Sequence, residues 1–421
     1  MRAPDRPSNR AKRRSAVVAA ASLAVLVATA AGAQPASVHS AASPATLLIS
    51  QASGGGTPNG ASTNAVISND KRYARAIAFE SDASDLTSGD QNGVKDVYAV
   101  LRSGSIGNKG TPWRPGRNVL ISHTPSGAAG NGASTSPSID GSFHSRPTCV
   151  GFLSEASNLV SGDTNGQPDA FVGKLNGGKV KRVSKPGGRQ SSQSTTAIAV
   201  SGDCKTVAFV TGGKLYVSKG GRKAKQVHAR GVAADPSFST GVRSDLVFGA
   251  TGGVYLAKNG TGRPKLVGKG GSNPVYNDVK RQTVAYEKRI GSTTQIAYHD
   301  IGKRERIISS DGGHRGDGDS RNPVIGNSGY YVTFESDAEN LGTNAGSAHA
   351  DHNGQPDVYL YTDTRKITLV QSVQDKGIPL QGGGANPSMS FYSNYIVFDS
   401  PSKLSSGTGD RQIFMRYVGG L

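Results

Sequence analysis

The chain has little of what builds a single large core. Hydrophobic residues make up 35% of its 421 positions, aromatic side chains 6%, and there is one tryptophan. So thin an apolar complement argues against a large helical core. With 57 glycines it suits many short strands joined by turns. Cysteine occurs only as Cys149 and Cys204, enough for one bridge or for two buried thiols. Neither a G-x-S-x-G elbow nor an H-E-x-x-H helix is present, which removes the most recognisable hydrolase signatures.

What is present begins with an export signal. Arg2, Arg6, Arg10, Lys12, Arg13 and Arg14 precede an apolar run from Ala16 to Ala31, and Ala31-Gly32-Ala33 offers a small-residue cleavage site. This pattern predicts a signal peptide over residues 1–33, a linker over 34–45, and one domain over 46–421. An uncleaved anchor is the alternative, although the run is short for a span. Sec and twin-arginine export stay open, because Arg13-Arg14 is not followed by the usual apolar pair. No later run is apolar enough to cross a bilayer. The expectation is a secreted or envelope-associated monomer in a compartment that permits a Cys149–Cys204 bridge.

One strand text recurs seven times: a branched aliphatic, a small or aliphatic residue, then Phe or Tyr. It occurs at Ile77-Ala78-Phe79, Val150-Gly151-Phe152, Val207-Ala208-Phe209, Leu246-Val247-Phe248, Val284-Ala285-Tyr286, Val332-Thr333-Phe334 and Ile396-Val397-Phe398. The aromatics are 73, 57, 39, 38, 48 and 64 residues apart, and the shortest spacings match a four-stranded propeller blade of about 40 residues. A short strand opened by proline precedes the anchor in most units, as at Pro137, Pro236, Pro274, Pro323 and Pro387. The last unit ends without a fourth strand, whereas Thr46-Leu47-Leu48-Ile49-Ser50 reads like one. These observations predict an all-β, seven-bladed β-propeller closed by its N-terminal strand, with six or eight blades as the alternatives.

Units 1, 2, 6 and 7 carry long inserts between their second and third strands, and three of these share a text. It reads Ser81-Asp82-Ala83-Ser84-Asp85-Leu86, Ser154-Glu155-Ala156-Ser157-Asn158-Leu159 and Ser336-Asp337-Ala338-Glu339-Asn340-Leu341, each followed by D-x-N-G-x-x-D. Together with the preceding V-A-F strand, this text resembles the TolB-like propeller repeats of secreted bacterial proteins over essentially the whole mature chain. The resemblance implies fold and export but no shared activity.

Oxygen ligands at alternating positions around a glycine turn are how calcium loops work. The candidate ligands are Asp90, Asn92 and Asp96; Asp163, Asn165 and Asp169; and Asp351, Asn353 and Asp357. The competing reading is that these residues bond their own backbone and tie down the next strand, since the loop lacks the distal Glu of an EF-hand.

Charge is spread unevenly: residues 174–305 hold 24 Lys and Arg against 7 Asp and Glu. This predicts one basic arc over units 3, 4 and 5. The functional expectation is an exported, non-catalytic module binding a protein or an anionic envelope polymer through its loop-rich face. Nucleic acid is discounted, because an exported protein seldom meets it. The alternative is an extracellular carbohydrate-active or lyase-type propeller enzyme.

Overall fold

A computed structural model describes residues 46–71, 73–104, 113–229, 231–241, 244–342, 353–373, 379–401 and 409–418. The strands form seven four-stranded antiparallel sheets. Blade 1 runs outward from the channel as Ser62–Ile67, Ala76–Ser81, Asp96–Arg102 and Pro115–Leu120. Blades 2 to 6 begin on Ser134–Ile139, Thr195–Val200, Ala234–Phe238, Gly271–Asn277 and Ser320–Ile325 and repeat that order. Blade 7 takes Ala385–Met389, Tyr395–Ser400 and Gln412–Tyr417 from the C-terminal end, and its outer strand, Thr46–Leu48, from the other end of the chain. Thr46 pairs with Arg416, Leu47 with Met415 and Leu48 with Phe414, so the ring closes as the sequence implies.

Alternation within the repeated strand explains the core. Ile77 and Phe79 pack with Val397, Ile413 and Met415 of blade 7, whereas Ala78 packs with Val150 and Phe152 of blade 2. Successive side chains point to opposite faces, so each anchor strand supplies both of its gaps. Among the described residues the apolar core falls into seven clusters, one per gap between adjacent blades. In six blades the anchor aromatic lies opposite an aromatic of the third strand, as with Phe79 and Tyr98 at 6.1 Å between centroids. Blade 5 departs: Tyr286 lies opposite Ala297, and Tyr298 turns the other way to meet Tyr361 edge-on.

The inner strands differ from expectation at their prolines. Pro137, Pro236, Pro274, Pro323 and Pro387 lie inside the strands and do not open them. In each the ladder shifts register there, as between Thr135 and Ser138, so a bulge absorbs the missing N–H.

Cys149, the first residue of the second strand of blade 2, is bonded to Cys204 in the turn before the second strand of blade 3, with 6.3 Å between Cα atoms. The hairpins between first and second strands, and between third and fourth, share one face of the ring. The long inserts and the connectors between blades share the other. Residues 1–45 lie outside the described residues. No helix among the described residues is long and apolar enough to cross a membrane.

Candidate functional site

The shared insert text is a set of braces. Asn59, in the connector entering blade 1, accepts from the Ser84 N–H at 2.9 Å and donates to Ser84 Oγ at 2.9 Å, while its own N–H donates to Asp85 at 3.1 Å. Asn131 does the same with Ser157 and Asn158 in blade 2. Asp317 and Asn340 reproduce it in blade 6. The connectors pass so close that a Cβ on Gly60 or Gly132 would stand 2.8 Å from the insert backbone. Ala83, Leu86, Ala156, Leu159, Ala338 and Leu341 are buried beneath. The text therefore repeats because each of these three inserts is fastened to its connector by the same reciprocal pair of backbone N–H donations.

The D-x-N-G-x-x-D residues form a second clasp. Asp96, fully buried, accepts from Ser122 Oγ and from Asn92 Nδ2 at 2.6 Å. The other Asn92 amide hydrogen goes to the Gly130 carbonyl at 2.8 Å, and Asn92 Oδ1 accepts from the Val94 N–H. Asn165 joins Asp169 to the Ser191 carbonyl, and Asn353 joins Asp357 to the Leu380 carbonyl, in the same way. Asp90 accepts from the Tyr98 hydroxyl. Asp163 pairs with Arg182 at 3.1 Å and accepts from Gln190 at 2.7 Å, so a guanidinium already neutralises that loop. Asp351 lies outside the described residues.

Blades 5 and 7 make the same clasp with one residue. Gln295 and Gln412 each accept from a serine hydroxyl (Ser309 and Ser50) and donate to a connector carbonyl. Burial drives the Asp96 carboxyl up to about 6, against the hydrogen bonds from Ser122 and Asn92, and it raises Asp169 as well.

In these clasps Asn92, Asn165 and Asn353 turn their amide nitrogens to the carboxylates, so calcium would have to displace them. Among the described residues, one set of three metal-donor side chains converges, Asp140 with Cys149 and Cys204, and its sulfurs are bonded to each other. We expect thermal melts in millimolar calcium and in chelator to share one midpoint. A higher midpoint with calcium, through ligand linkage to the folded state, would show the amides giving way.

The channel mouth on the insert face was not legible as a site. Asn64, Ser136, Asp235, Asn273, Asn322 and Asn386 sit at the inner-strand bulges with φ between 44 and 55°, a left-handed conformation that Asn and Asp tolerate best. The backbone N–H of five of them is held by an acid of the preceding blade: Asp399 for Asn64, Glu80 for Ser136, Asp235 for Asn273, Glu287 for Asn322 and Glu335 for Asn386. Side-chain amides then run around the mouth, Asn273 to Asn322 at 3.1 Å, Asn322 to Asn386 at 3.3 Å and Asn386 to Asp399 at 2.9 Å. The signal in the sequence was an acid directly after the anchor aromatic (Glu80, Glu287, Glu335, Asp399) paired with a polar residue before the inner-strand proline.

Behind this mouth lies a channel cavity of about 490 Å³, whose lining has Asp235 as its one ionisable side chain among the described residues. Burial raises the Asp235 carboxyl, partly offset by the Asn273 N–H.

The architecture defines a seven-bladed β-propeller whose blade 7 is completed by the N-terminal strand. No protein-family model matches the chain, and comparison with curated proteins finds no relative. Solved propellers are similar to it in fold. TolB from Acinetobacter baumannii is 13% identical, with 70% of this chain and 82% of that one covered and a TM-score of 0.39. Putative TolB from Agrobacterium tumefaciens is also 13% identical, over 68% and 91%, with a TM-score of 0.38. The Swd1 β-propeller domain from Myceliophteria thermophila is 10% identical, over 86% and 98%, with a TM-score of 0.49. These likenesses concern the fold alone.

Proposed function

We propose that the protein is an exported binding module that takes its partner at the channel mouth on the insert face. The observation that carries this reading is the ring of left-handed Asn, Ser and Asp residues, held in place by acids of the neighbouring blades. Fixed donors and acceptors on a braced rim are suited to a partner's polar edges, because little freedom is lost on binding. Export is supported by the basic-then-apolar segment of residues 1–33, by the bridge, which belongs to oxidising compartments, and by the resemblance of the insert text to secreted TolB-like repeats. The partner is a protein or an envelope polymer that presents hydroxyl or amide groups.

The test immobilises the mature protein and passes cell-envelope fractions over it. A variant carrying Asn322→Gly and Asn386→Gly keeps the positive φ and removes two carboxamides from the rim. Capture should fall at least about tenfold in that variant, about 1.4 kcal/mol. Equal capture would move the site elsewhere. Release of soluble sugar or unsaturated products from the fractions would make the protein an enzyme instead.

A further inference from the structure

The opposite, hairpin face carries a feature that neither the repeat nor the channel explains. Two adjoining cavities, of about 240 and about 660 Å³, lie where blades 1 and 2 meet, and both are lined by Arg75 and Arg146. The larger one adds Arg102, Arg117 and Lys174 and has no acid in its lining among the described residues. Arg75 has a carboxylate partner, Asp70, at 2.5 Å, and Arg102 donates to the Tyr73 carbonyl at 2.5 Å. Arg117, Arg146 and Lys174 have no ion pair among the described residues.

The cleft is held in shape. Arg146 is carried by the blade 2 hairpin, whose far end is tied down where Asp140 accepts from the Thr148 N–H at 2.7 Å, Thr148 Oγ1 at 2.9 Å and the Cys149 N–H at 2.9 Å. The disulfide starts at that same Cys149. Phe143 of this hairpin packs on Phe391 of blade 7 at 5.8 Å, with Lys71 over its ring at 4.8 Å. On the blade 1 side, the buried Trp113 donates to the Ala74 carbonyl at 2.7 Å, and Arg75 stacks over Tyr73 at 4.2 Å.

Like charges brought together this way repel one another unless an anion occupies the space between them. Guanidinium groups engage tetrahedral and planar oxyanions through paired N–H donors. Among the described residues the larger cavity is lined by no aromatic side chain on which a sugar or a base could stack, and by Thr148 and Asn176 as its neutral hydrogen-bonding side chains. Recognition there rests on charge spaced along a chain.

We propose that this cleft between blades 1 and 2 binds a linear polymer of phosphate groups, with Arg75, Arg102, Arg117, Arg146 and Lys174 as its contacts. The site lies on the face opposite the channel mouth, so it stands or falls independently of the binding role assigned there.

The probe is inorganic polyphosphate, titrated into the mature protein by calorimetry. Affinity should fall more than about tenfold between ~50 and ~200 mM salt, as counterion release requires. Arg117→Glu with Arg146→Glu should weaken binding at least about thirtyfold, because both side chains are exposed and leave the core untouched. A matched reversal in the basic arc, Lys265→Glu with Lys269→Glu, should change affinity less than about threefold. Equal losses in the two variants would reduce the effect to net charge and overturn the site. Tighter binding of polygalacturonate through the same two arginines would overturn the phosphate assignment. The Asn322→Gly, Asn386→Gly variant should bind polyphosphate normally.

Discussion

Removing residues 34–50 from the mature chain should abolish the folded ring, whereas removing 34–45 should leave its melting midpoint within about 2 °C of the parent. The shorter deletion spares Thr46–Leu48 and everything it touches. The longer one takes away the outer strand of blade 7 and the residues that fasten it. Ile49 is fully buried among Ala65, Ile67, Val397, Ile413 and Met415, so it belongs to the gap between blade 7 and blade 1. Its N–H donates to the Ile413 carbonyl at 2.8 Å. Ser50 closes the blade 7 clasp, donating to Gln412 at 2.7 Å and accepting from the Ile413 N–H at 3.0 Å.

Burial of Ile49 with most of Leu47 and Leu48 contributes about 4–6 kcal/mol, comparable with the whole stability of an ordinary domain. The deletion also bares the edge of Gln412–Tyr417, a template for pairing with a second molecule. Size-exclusion chromatography should therefore show aggregate and not monomer. A cooperative melt near the parent's midpoint would show that the ring does not depend on this strand.

The second large effect concerns the bridge. Reduction, or Cys149→Ala with Cys204→Ala, should cost about 4 kcal/mol in the chain-entropy model, for a closed loop of 55 residues. In a domain of this size that lowers the midpoint by about 5 °C. The loss should be local in its consequences. The bridge joins blades 2 and 3 beside the hairpin that carries Arg146, so proteolysis of the reduced protein should begin near residues 142–148 and not in the blade 4 or blade 5 hairpins. Limited digestion with mass spectrometry reads this directly. An unchanged midpoint with cysteines verified as reduced would mean that packing alone already sets the distance between these blades.

The strands and the repeat were legible because they rest on local signals, and the seven units with the last one a strand short pointed to the closure. A two-residue period marks a strand wherever it occurs, and Ile77-Ala78-Phe79 shows which side chains serve which gap. The bridge was legible because both cysteines flank equivalent second strands of consecutive units. The D-x-N-G-x-x-D text was visible, and so was the reading that its residues tie down the next strand, but their long-range partners were not. Asn92 Nδ2 meets the Gly130 carbonyl across 38 positions, and that bond depends on how the connector passes the loop. The glutamines of blades 5 and 7 hide the same clasp under a different residue type.

The basic cleft shows the reverse case. Counting charges along the chain places the positive arc in blades 3 to 5, and Arg75, Arg102, Arg117 and Arg146 are too widely spaced to register as a run. They meet because the end of the third strand, the outer strand and the hairpins of adjacent blades share one face. By itself the sequence determined the repeated four-stranded unit and named the candidate closing strand and cysteine pair, since periodicity and repeat spacing act between residues near in the chain. Only the tertiary structure decided which polar groups face the channel and which cations share a cleft, because both depend on where neighbouring blades bring distant residues into contact.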